Sequence, residues 1–264
     1  MIDTTTKTYL LSKKLDGFFM SINKAYKFVM QFFKQMLKSP FHFTEVINQS
    51  FEMGLKSLPL ITLTGFIVGV VFTKQPRPSL EEFGATSWLP SLIGIAVIKA
   101  MGPLVTALIC AGKVGSGIGA ELGSMKVTEQ IDAMEVSAIN PFKYLVVTRV
   151  TATMITIPIL SFYCIVVGLI GSYVNIHIEE GTSFIAFYQK AFSTINFLDL
   201  FTSVVKSIIF GFTIGIVGCY KGFNASQGTR GVGIAANQAV VTAMFLIFME
   251  EMLIVQVSNW MRYF

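Results

Sequence analysis

Five long apolar runs, separated by short polar stretches, dominate the pattern of this chain. They cover residues of about 50–73, 88–112, 147–176, 198–219 and 232–257. Each run is close to the roughly 20 residues that an α-helix needs to cross the hydrocarbon core of a bilayer. The strictly apolar part of the first run, 57–73, is shorter than the other four runs. We therefore extend this span backwards through Phe51 and Met53. The pattern predicts five transmembrane helices.

A different pattern precedes these runs, in residues 10–45. Apolar side chains recur there at spacings of three and four, beginning with Leu11, Leu15 and Phe18, and lysines lie between them. Such a basic amphipathic segment is typical of a helix in the membrane interface, with lysines at anionic headgroups. A signal peptide is the competing interpretation, but the segment lacks an uninterrupted apolar core and a small-residue cleavage site. We therefore predict an interfacial helix.

The composition agrees with a membrane protein. Of the 264 residues, 53% are hydrophobic and 13% are charged, whereas a soluble domain has roughly 25% charged residues. The three cysteines are far apart in apolar runs, and neither histidine has Cys or carboxylate neighbours at ligand spacing. Neither a disulfide framework nor a metal site is indicated. The predicted fold class is an all-α integral membrane protein.

The basic residues predict the orientation. With a cytoplasmic N-terminus, thirteen Lys and Arg fall on the inside and four on the outside. The inside set is Lys7, Lys13, Lys14, Lys24, Lys27, Lys34, Lys38, Lys113, Lys126, Lys143, Arg149, Lys221 and Arg230, and the outside set is Lys74, Arg77, Lys190 and Arg262. This bias explains the net charge of +5 without nucleic acid. It places the C-terminus outside and the segment 112–141 in the cytoplasm.

The segment 112–141 is polar and patterned, unlike its apolar surroundings. Val127, Ile131, Met134 and Ala138 form an apolar stripe, and the acidic residues lie away from it. This predicts an amphipathic helix over 124–137, opened by Gly123 and Ser124 as cap residues and closed by Asn140-Pro141. The helix is either a solvated loop helix or a docking helix for a soluble partner.

Small residues spaced by four occur in or beside three of the spans. They are Gly65 and Gly69, Gly211 and Gly215, and the series Gly115, Gly119 and Gly123. Such spacings allow helix backbones to approach closely. They predict close packing, either within one protomer or between two.

Four ionisable residues lie inside predicted spans: Lys99, Lys206, Glu250 and Glu251. A charge at the centre of a membrane helix costs about 2.5–3.5 kcal/mol on insertion scales, so it usually meets an opposite charge or a cavity. One interpretation is a structural Lys–Glu pair, and the other is a polar part of a substrate cavity that meets a headgroup phosphate. Because adjacent helical residues point about 100° apart, a given lysine is expected to meet only one of the two glutamates.

No pattern indicates catalysis by this chain. The run from Gly115 to Gly119 has neither the GxxxxGK[ST] order nor GxGxxG between a strand and a helix. No Ser/His/Asp or Cys/His arrangement has its members at one depth. We predict a non-catalytic subunit that binds no cofactor.

The stretch 98–149 resembles the MlaE (YrbE-like) family of ABC-transporter permeases, which move lipids with MCE proteins. The resemblance is carried by Gly102-Pro103, Ala111-Gly112-Lys113, Ala120-Glu121-Leu122-Gly123, Thr128-Glu129-Gln130, Met134-Glu135 and Asn140-Pro141. It extends over most of the chain, which would be one permease domain over 1–264. It implies a homodimer bound to two copies of an ABC ATPase that carry ATP and Mg²⁺, and capped by a hexameric MCE-domain protein. A STAS-domain regulatory subunit is a further candidate partner.

The resemblance also implies roles for residues. The helix at 124–137 would be the coupling helix that fits the ATPase, with the contact set Glu121, Lys126, Thr128, Glu129, Gln130, Asp132, Met134 and Glu135. Lys99, Lys206, Glu250 and Glu251 would line a lipid cavity between two permeases. Ala100 stands where a family member carries a glutamate, so a role of that glutamate does not transfer to this chain.

These observations favour a permease that moves phospholipids between the inner and outer membranes of a Gram-negative bacterium and so supports outer-membrane lipid asymmetry. An ion-coupled secondary transporter that uses the intramembrane Lys and Glu residues is the alternative. It is disfavoured because an odd number of spans does not divide into two repeats. A non-transporting scaffold is a third hypothesis, under which Lys206→Met would leave activity intact.

Overall fold

The computed structural model describes the backbone of residues 2–261 and the side chains of residues 19–261. Within this part every regular element is a helix and no strand occurs. Five helical stretches are long and apolar enough to cross a membrane: Phe43–Glu82, Thr86–Val127, Phe142–Glu180, Phe197–Phe223 and Thr229–Met261. The predicted fold class and number of spans are therefore confirmed.

The helices are longer than the apolar runs from which they were predicted. In chain order they are α1 (Ile2–Met36), α2 (Phe43–Lys74), α3 (Arg77–Glu82), α4 (Leu89–Ile95), α5 (Gly102–Cys110), α6 (Ser116–Val127), α7 (Gln130–Val136), α8 (Thr148–Glu180), α9 (Phe184–Ser193), α10 (Phe197–Phe223) and α11 (Thr229–Met261). Polar residues continue each membrane helix past its apolar run, since a helix satisfies its own backbone groups in water as in lipid.

Three π-helical segments and one 3₁₀ turn interrupt this pattern. The 3₁₀ turn is Thr86–Trp88, and the π-helical segments are Ala96–Met101, Ala111–Gly115 and Phe142–Val147. The π-helical segments Ala96–Met101 and Ala111–Gly115 lie on either side of α5 in the second span. Each π-helical segment contains one lysine, namely Lys99, Lys113 or Lys143. Such wide turns are rare and frequently mark functional sites in helices.

The N-terminal helix ends earlier than the prediction of 10–45. It ends at Met36, and α2 starts only at Phe43, because Pro40 cannot continue a helix. Phe32 is fully buried, and the ring of Phe28 lies 4.9 Å from that of Phe142. Phe19, Met20, Tyr26, Met30 and Phe33 remain exposed on this helix. The apolar and basic side chains predicted to face the membrane within residues 10–18 lie outside the part of the chain whose side chains the structure describes.

Glycine contacts bring the spans together within one protomer. Gly65 and Gly69 of α2 lie against Cys164 and Gly168 of α8, and the Ser172 hydroxyl donates to the Gly69 carbonyl over 3.0 Å. The pair Gly211 and Gly215 faces α8, whereas Gly119 faces α11. Of the two interpretations of these small-residue spacings, the structure shows packing within the protomer.

Candidate functional site

Lys206 and Glu251 form an ion pair between α10 and α11. The ammonium lies 2.6 Å from Glu251 Oε1, and the two side chains are only 2% and 15% exposed. Lys206 Nζ also lies 3.4 Å from the carbonyl oxygen of Lys99. The ammonium of Lys206 thus has both an ion-pair partner and a carbonyl acceptor, as a buried charge requires. The predicted Lys–Glu pairing is present.

Glu250 has a different partner from its neighbour. Its Oε1 accepts a hydrogen bond from the Thr213 hydroxyl of α10. This agrees with the expectation that only one of the two glutamates meets a given lysine. The Oε2 atoms of Glu250 and Glu251 are buried and have no hydrogen-bond partner among the described residues. Both carboxylates therefore retain acceptor capacity inside the span.

Lys99 pairs with a residue that the sequence did not indicate. Its ammonium lies 3.5 Å from Asp199 Oδ1, where Asp199 is buried at the start of α10. Asp199 also belongs to the capping box of this helix with Asn196, and that pattern was the available local signal. The Ser203 hydroxyl donates to the Ile98 carbonyl over 3.1 Å, which joins α10 to the same π-helical segment.

The structure thus gathers all four predicted intramembrane residues around α10. Their partners, Asp199 and Thr213, belong to α10 as well. We call Lys99, Asp199, Lys206, Glu250 and Glu251 the intramembrane charge cluster. Each of its two lysines is already paired with a carboxylate, Lys99 with Asp199 and Lys206 with Glu251. Among residues 19–261, no three His, Cys, Asp or Glu side chains are arranged to hold a metal ion.

The predicted single helix over 124–137 is wrong. Helix α6 already begins at Ser116 and contains Gly123 and Ser124, and it ends at Val127. Glu129 adopts a left-handed conformation with φ 60°, which breaks the chain before the short helix α7. Helix α7 ends at Val136, before Asn140, because Ala138 is also left-handed with φ 59°. The segment is a helix–turn–helix corner.

This corner nevertheless presents the predicted contact residues at its surface. Ile131 is buried in the main core and Met134 packs against it, whereas Ala138 of the predicted stripe is exposed. Thr128, Glu129, Gln130, Asp132 and Glu135 are exposed, and Lys126 is half-buried. Lys126 and Asp132 form an ion pair of 2.9 Å across the break. The corner therefore carries an exposed, mostly acidic surface, and Ile131 anchors it to the core.

Glu121 connects the corner to the spans. Its carboxylate accepts from Arg149 Nη2 over 2.7 Å, and the arginine side chain is only 3% exposed. The Arg149 Nη1 also donates to the Leu145 carbonyl over 3.2 Å. The pairing joins α6 to α8, 28 residues apart in sequence. Glu121 was predicted only as a contact residue and Arg149 only as one of the inside charges, and no sequence pattern indicated the contact between them.

Comparisons with known proteins identify the family. Residues 46–257 match the family described as Permease MlaE. A probable ABC transporter permease protein of Rickettsia typhi is 34% identical over 221 residues, covering 84% of this chain and 85% of the relative. One from Synechocystis is 31% identical over 237 residues, 90% of each chain. Protein TRIGALACTOSYLDIACYLGLYCEROL 1, chloroplastic, of Arabidopsis thaliana is 30% identical over 217 residues, covering 82% of this chain and 62% of the relative. This chain belongs to the MlaE family of ABC-transporter permeases.

Proposed function

We propose that this protein is the membrane subunit of an ATP-driven transporter that moves phospholipids between the inner and outer membranes of a bacterium. The observation that carries the proposal is the intramembrane charge cluster beside apolar surface. Next to Glu250 and Glu251, the side chains of Phe248, Met249 and Met252 are exposed. A phospholipid has the same combination of a charged headgroup and apolar chains. The Arabidopsis relative is named after trigalactosyldiacylglycerol, which is a glycolipid, and this name also supports a lipid substrate.

The coupling to ATP would use the corner at residues 124–137. ABC permeases work with an ATPase, and two ATPase subunits carrying ATP and Mg²⁺ would supply the free energy here. The exposed residues Thr128, Glu129, Asp132 and Glu135 would contact that subunit. Motion of the corner would pass to α8 through Glu121 and Arg149, because the buried guanidinium joins the two helices. This chain itself would be non-catalytic.

A homodimer would complete the lipid cavity. In the most apolar 18 residues of the last span only 11% of the residues are buried, compared with 50% in the corresponding part of the fourth span. Val241, Phe245 and Phe248 of α11 are exposed. Contact with the second permease and with lipid would cover this surface. A hexameric MCE-domain protein would receive lipid on the outside, and a STAS-domain subunit would regulate the ATPase.

The orientation would place both the N-terminus and the corner in the cytoplasm. The basic surface of α1 would then face anionic headgroups of the inner membrane, where exposed Phe19, Met20 and Tyr26 enter the acyl boundary. The C-terminus would be periplasmic. The ion-coupled alternative requires transport without ATP, and membership of an ABC-transporter family argues against it.

Co-purification tests the proposal. The protein is isolated in nanodiscs, and retained proteins and lipids are determined by mass spectrometry for the wild type, Glu129→Lys and Glu82→Lys. Glu82 is exposed on the opposite side, at the end of α3, so it controls for the charge change. We expect an ATPase, an MCE-domain protein and phospholipid with the wild type, and loss of the ATPase only with Glu129→Lys. A protein that comes out alone and moves a solute without ATP would favour the ion-coupled alternative.

A further inference from the structure

A cavity with both charged and apolar walls lies between α2 and α6, away from the intramembrane charge cluster. Its volume is about 360 Å³, which is within the range of small-molecule sites. Its walls include Glu52, Lys56, Ser57, Lys113 and Glu121. Lys113 follows Lys99 by fourteen residues in the same span, or about 20 Å at the helical rise. The cavity therefore lies near the opposite leaflet from the charge cluster.

An irregular turn of α2 forms one wall. Pro59 lies inside this helix and has no backbone N–H, so the carbonyl of Leu55, four residues earlier, lacks its helical donor. In that turn the carbonyl oxygen of Lys56 accepts a hydrogen bond from Lys113 Nζ. The neighbouring Ser57 is fully buried, yet its hydroxyl has no hydrogen-bond partner among the described residues. A buried hydroxyl without a partner calls for an explanation, and the cavity that Ser57 lines offers space for a polar group beside it.

The other wall presents a lysine that no carboxylate neutralises. Lys113 belongs to the π-helical segment Ala111–Gly115, and its side chain is exposed to the cavity. Among the ion pairs of the described residues, Glu52 is matched with Lys56 and Glu121 with Arg149. Lys113 forms none. The walls carry two lysines and two carboxylates. Because Glu52 is paired with Lys56, and Glu121 with Arg149 behind the wall, Lys113 is the cation of the wall that has no ion-pair partner.

This charge pattern fits a zwitterion with an anionic group of its own. A phosphodiester would take hydrogen bonds from the Lys113 ammonium and the Ser57 hydroxyl, and charge-assisted bonds of this kind are the strong ones. A primary ammonium would find a carboxylate at Glu52, whose side chain is 54% exposed. Phosphatidylethanolamine combines both groups in one headgroup. Phosphatidylglycerol supplies the phosphate but no ammonium.

We propose that this cavity is a second headgroup site, for phosphatidylethanolamine of the cytoplasmic leaflet, at the other end of the span from the intramembrane charge cluster. The inference deepens the proposed lipid transport and rests on it. In the proposed orientation α6 and the N-terminal part of α2 face the cytoplasm, so the cavity lies at headgroup depth. Occupancy would place a lipid beside Glu121, whose partner Arg149 belongs to α8.

Gly117 offers a test that leaves charge unchanged. It lines the cavity, and a Cβ atom at this position meets no atom within 4 Å. The Cβ of Gly117→Leu would therefore meet no wall, the rest of the leucine side chain would reduce the space in the cavity, and leucine favours a helix over glycine. Lys113→Met removes the phosphate partner. Lys221→Met is the matched control, because Lys221 is near the same side and its ammonium bonds Gln238 at 3.4 Å, outside the cavity.

The full-length protein, with the partners that co-purify, is placed in nanodiscs of equal phosphatidylethanolamine and phosphatidylglycerol. Native mass spectrometry then measures the lipids that survive stepwise delipidation. We expect the wild type to retain phosphatidylethanolamine preferentially and Lys113→Met to lower that retention about tenfold. Gly117→Leu should abolish the preference with an unchanged or raised melting temperature, and Lys221→Met should behave as the wild type.

Three results would overturn the headgroup site. The first is equal retention in wild type, Lys113→Met and Gly117→Leu. The second is equal retention of both lipids by the wild type, and the third is displacement of the lipid by millimolar inorganic phosphate, which would assign the cavity to a soluble anion. ATP-driven lipid transfer by the same wild-type preparation separates the two proposals. Failure of transfer counts against the proposed function, whereas intact transfer with equal retention refutes only this site.

Discussion

Replacing Lys206 by methionine removes the positive member of a buried ion pair. The ammonium lies 2.6 Å from Glu251, and its side chain is 2% exposed. In Lys206→Met the Glu251 carboxylate remains inside the span without its ion-pair partner and next in sequence to a second carboxylate, that of Glu250. Breaking one side of a buried pair typically costs about 3–5 kcal/mol, since the remaining charge has no compensation. We expect Lys206→Met and Glu251→Met each to lower the free energy of unfolding by this amount.

The double variant distinguishes a structural pair from a functional one. In Lys206→Met/Glu251→Met no uncompensated charge remains, and replacing a buried pair by apolar residues of similar volume is often neutral or stabilising. We therefore expect the double variant to recover most of the lost stability. We also expect it to remain defective in ATP-driven lipid transfer, because it lacks the charges that would receive a headgroup.

Thermal unfolding in detergent, followed for the wild type, both single variants and the double variant, gives the coupling between the two residues. Lys190→Met serves as a control for the loss of an exposed lysine and should change stability by less than about 0.5 kcal/mol. Destabilisation of the double variant by the sum of the two single effects would refute the ion-pair reasoning. Recovery of lipid transfer together with stability would show that the pair only holds α10 and α11 together.

Three further predictions concern packing, the cluster and orientation. Gly69→Ala should lower the free energy of unfolding by about 1–3 kcal/mol, and with it the melting temperature, because its Cβ would overlap the Gly168 backbone. Gly233→Ala is the control: its Cβ meets open space, so the melting temperature should stay unchanged or rise. Asp199→Asn should cost about 1.5–3 kcal/mol by unpairing Lys99, and an unchanged unfolding midpoint would contradict this. Because the three native cysteines are buried, an impermeant maleimide on intact spheroplasts should label Glu82→Cys but not Glu135→Cys, and the reverse pattern would invert the orientation.

The number of spans was predictable because membrane insertion depends on a local property. An apolar run of sufficient length identifies a span whatever it packs against. The ends were less predictable: α2 starts at Phe43, ahead of the apolar run, and α10 extends to Phe223. Polar residues beyond the hydrocarbon core neither favour nor end a helix strongly. Pro40 is a signal for the end of α1, but the predicted helix over 10–45 ran through it.

The contacts of the charge cluster were only half predictable. The cost of burying charge indicated that Lys206 would meet a glutamate, and the helical geometry limited it to one of two. Asp199, in contrast, lies 100 residues from Lys99 and near the polar end of its helix, where an acid needs no partner. Pairing across such a separation depends on tertiary packing, about which a single sequence carries no direct signal.

The break at Glu129 had no local signal either. A left-handed backbone is uncommon for residues other than glycine, and the adjacent Thr128 and Gln130 suggest no turn. The apolar stripe therefore continued through it as one helix in the prediction. The break arises because α6 is the continuation of a membrane span, while Ile131 of α7 must turn back to reach the core. Their polarity nevertheless indicated that Glu129, Asp132 and Glu135 are exposed, and the structure shows this exposure.

The central claim is that ATP drives phospholipid movement through this permease. Its most direct test is transfer of labelled phospholipid to acceptor vesicles by the complex reconstituted with its co-purifying ATPase. Wild type and Glu129→Lys are compared with ATP and with a non-hydrolysable analogue. We expect transfer by the wild type with ATP only, and transfer at the background rate for Glu129→Lys. Equal transfer with ATP and with the analogue, or solute transport without nucleotide, would contradict the claim.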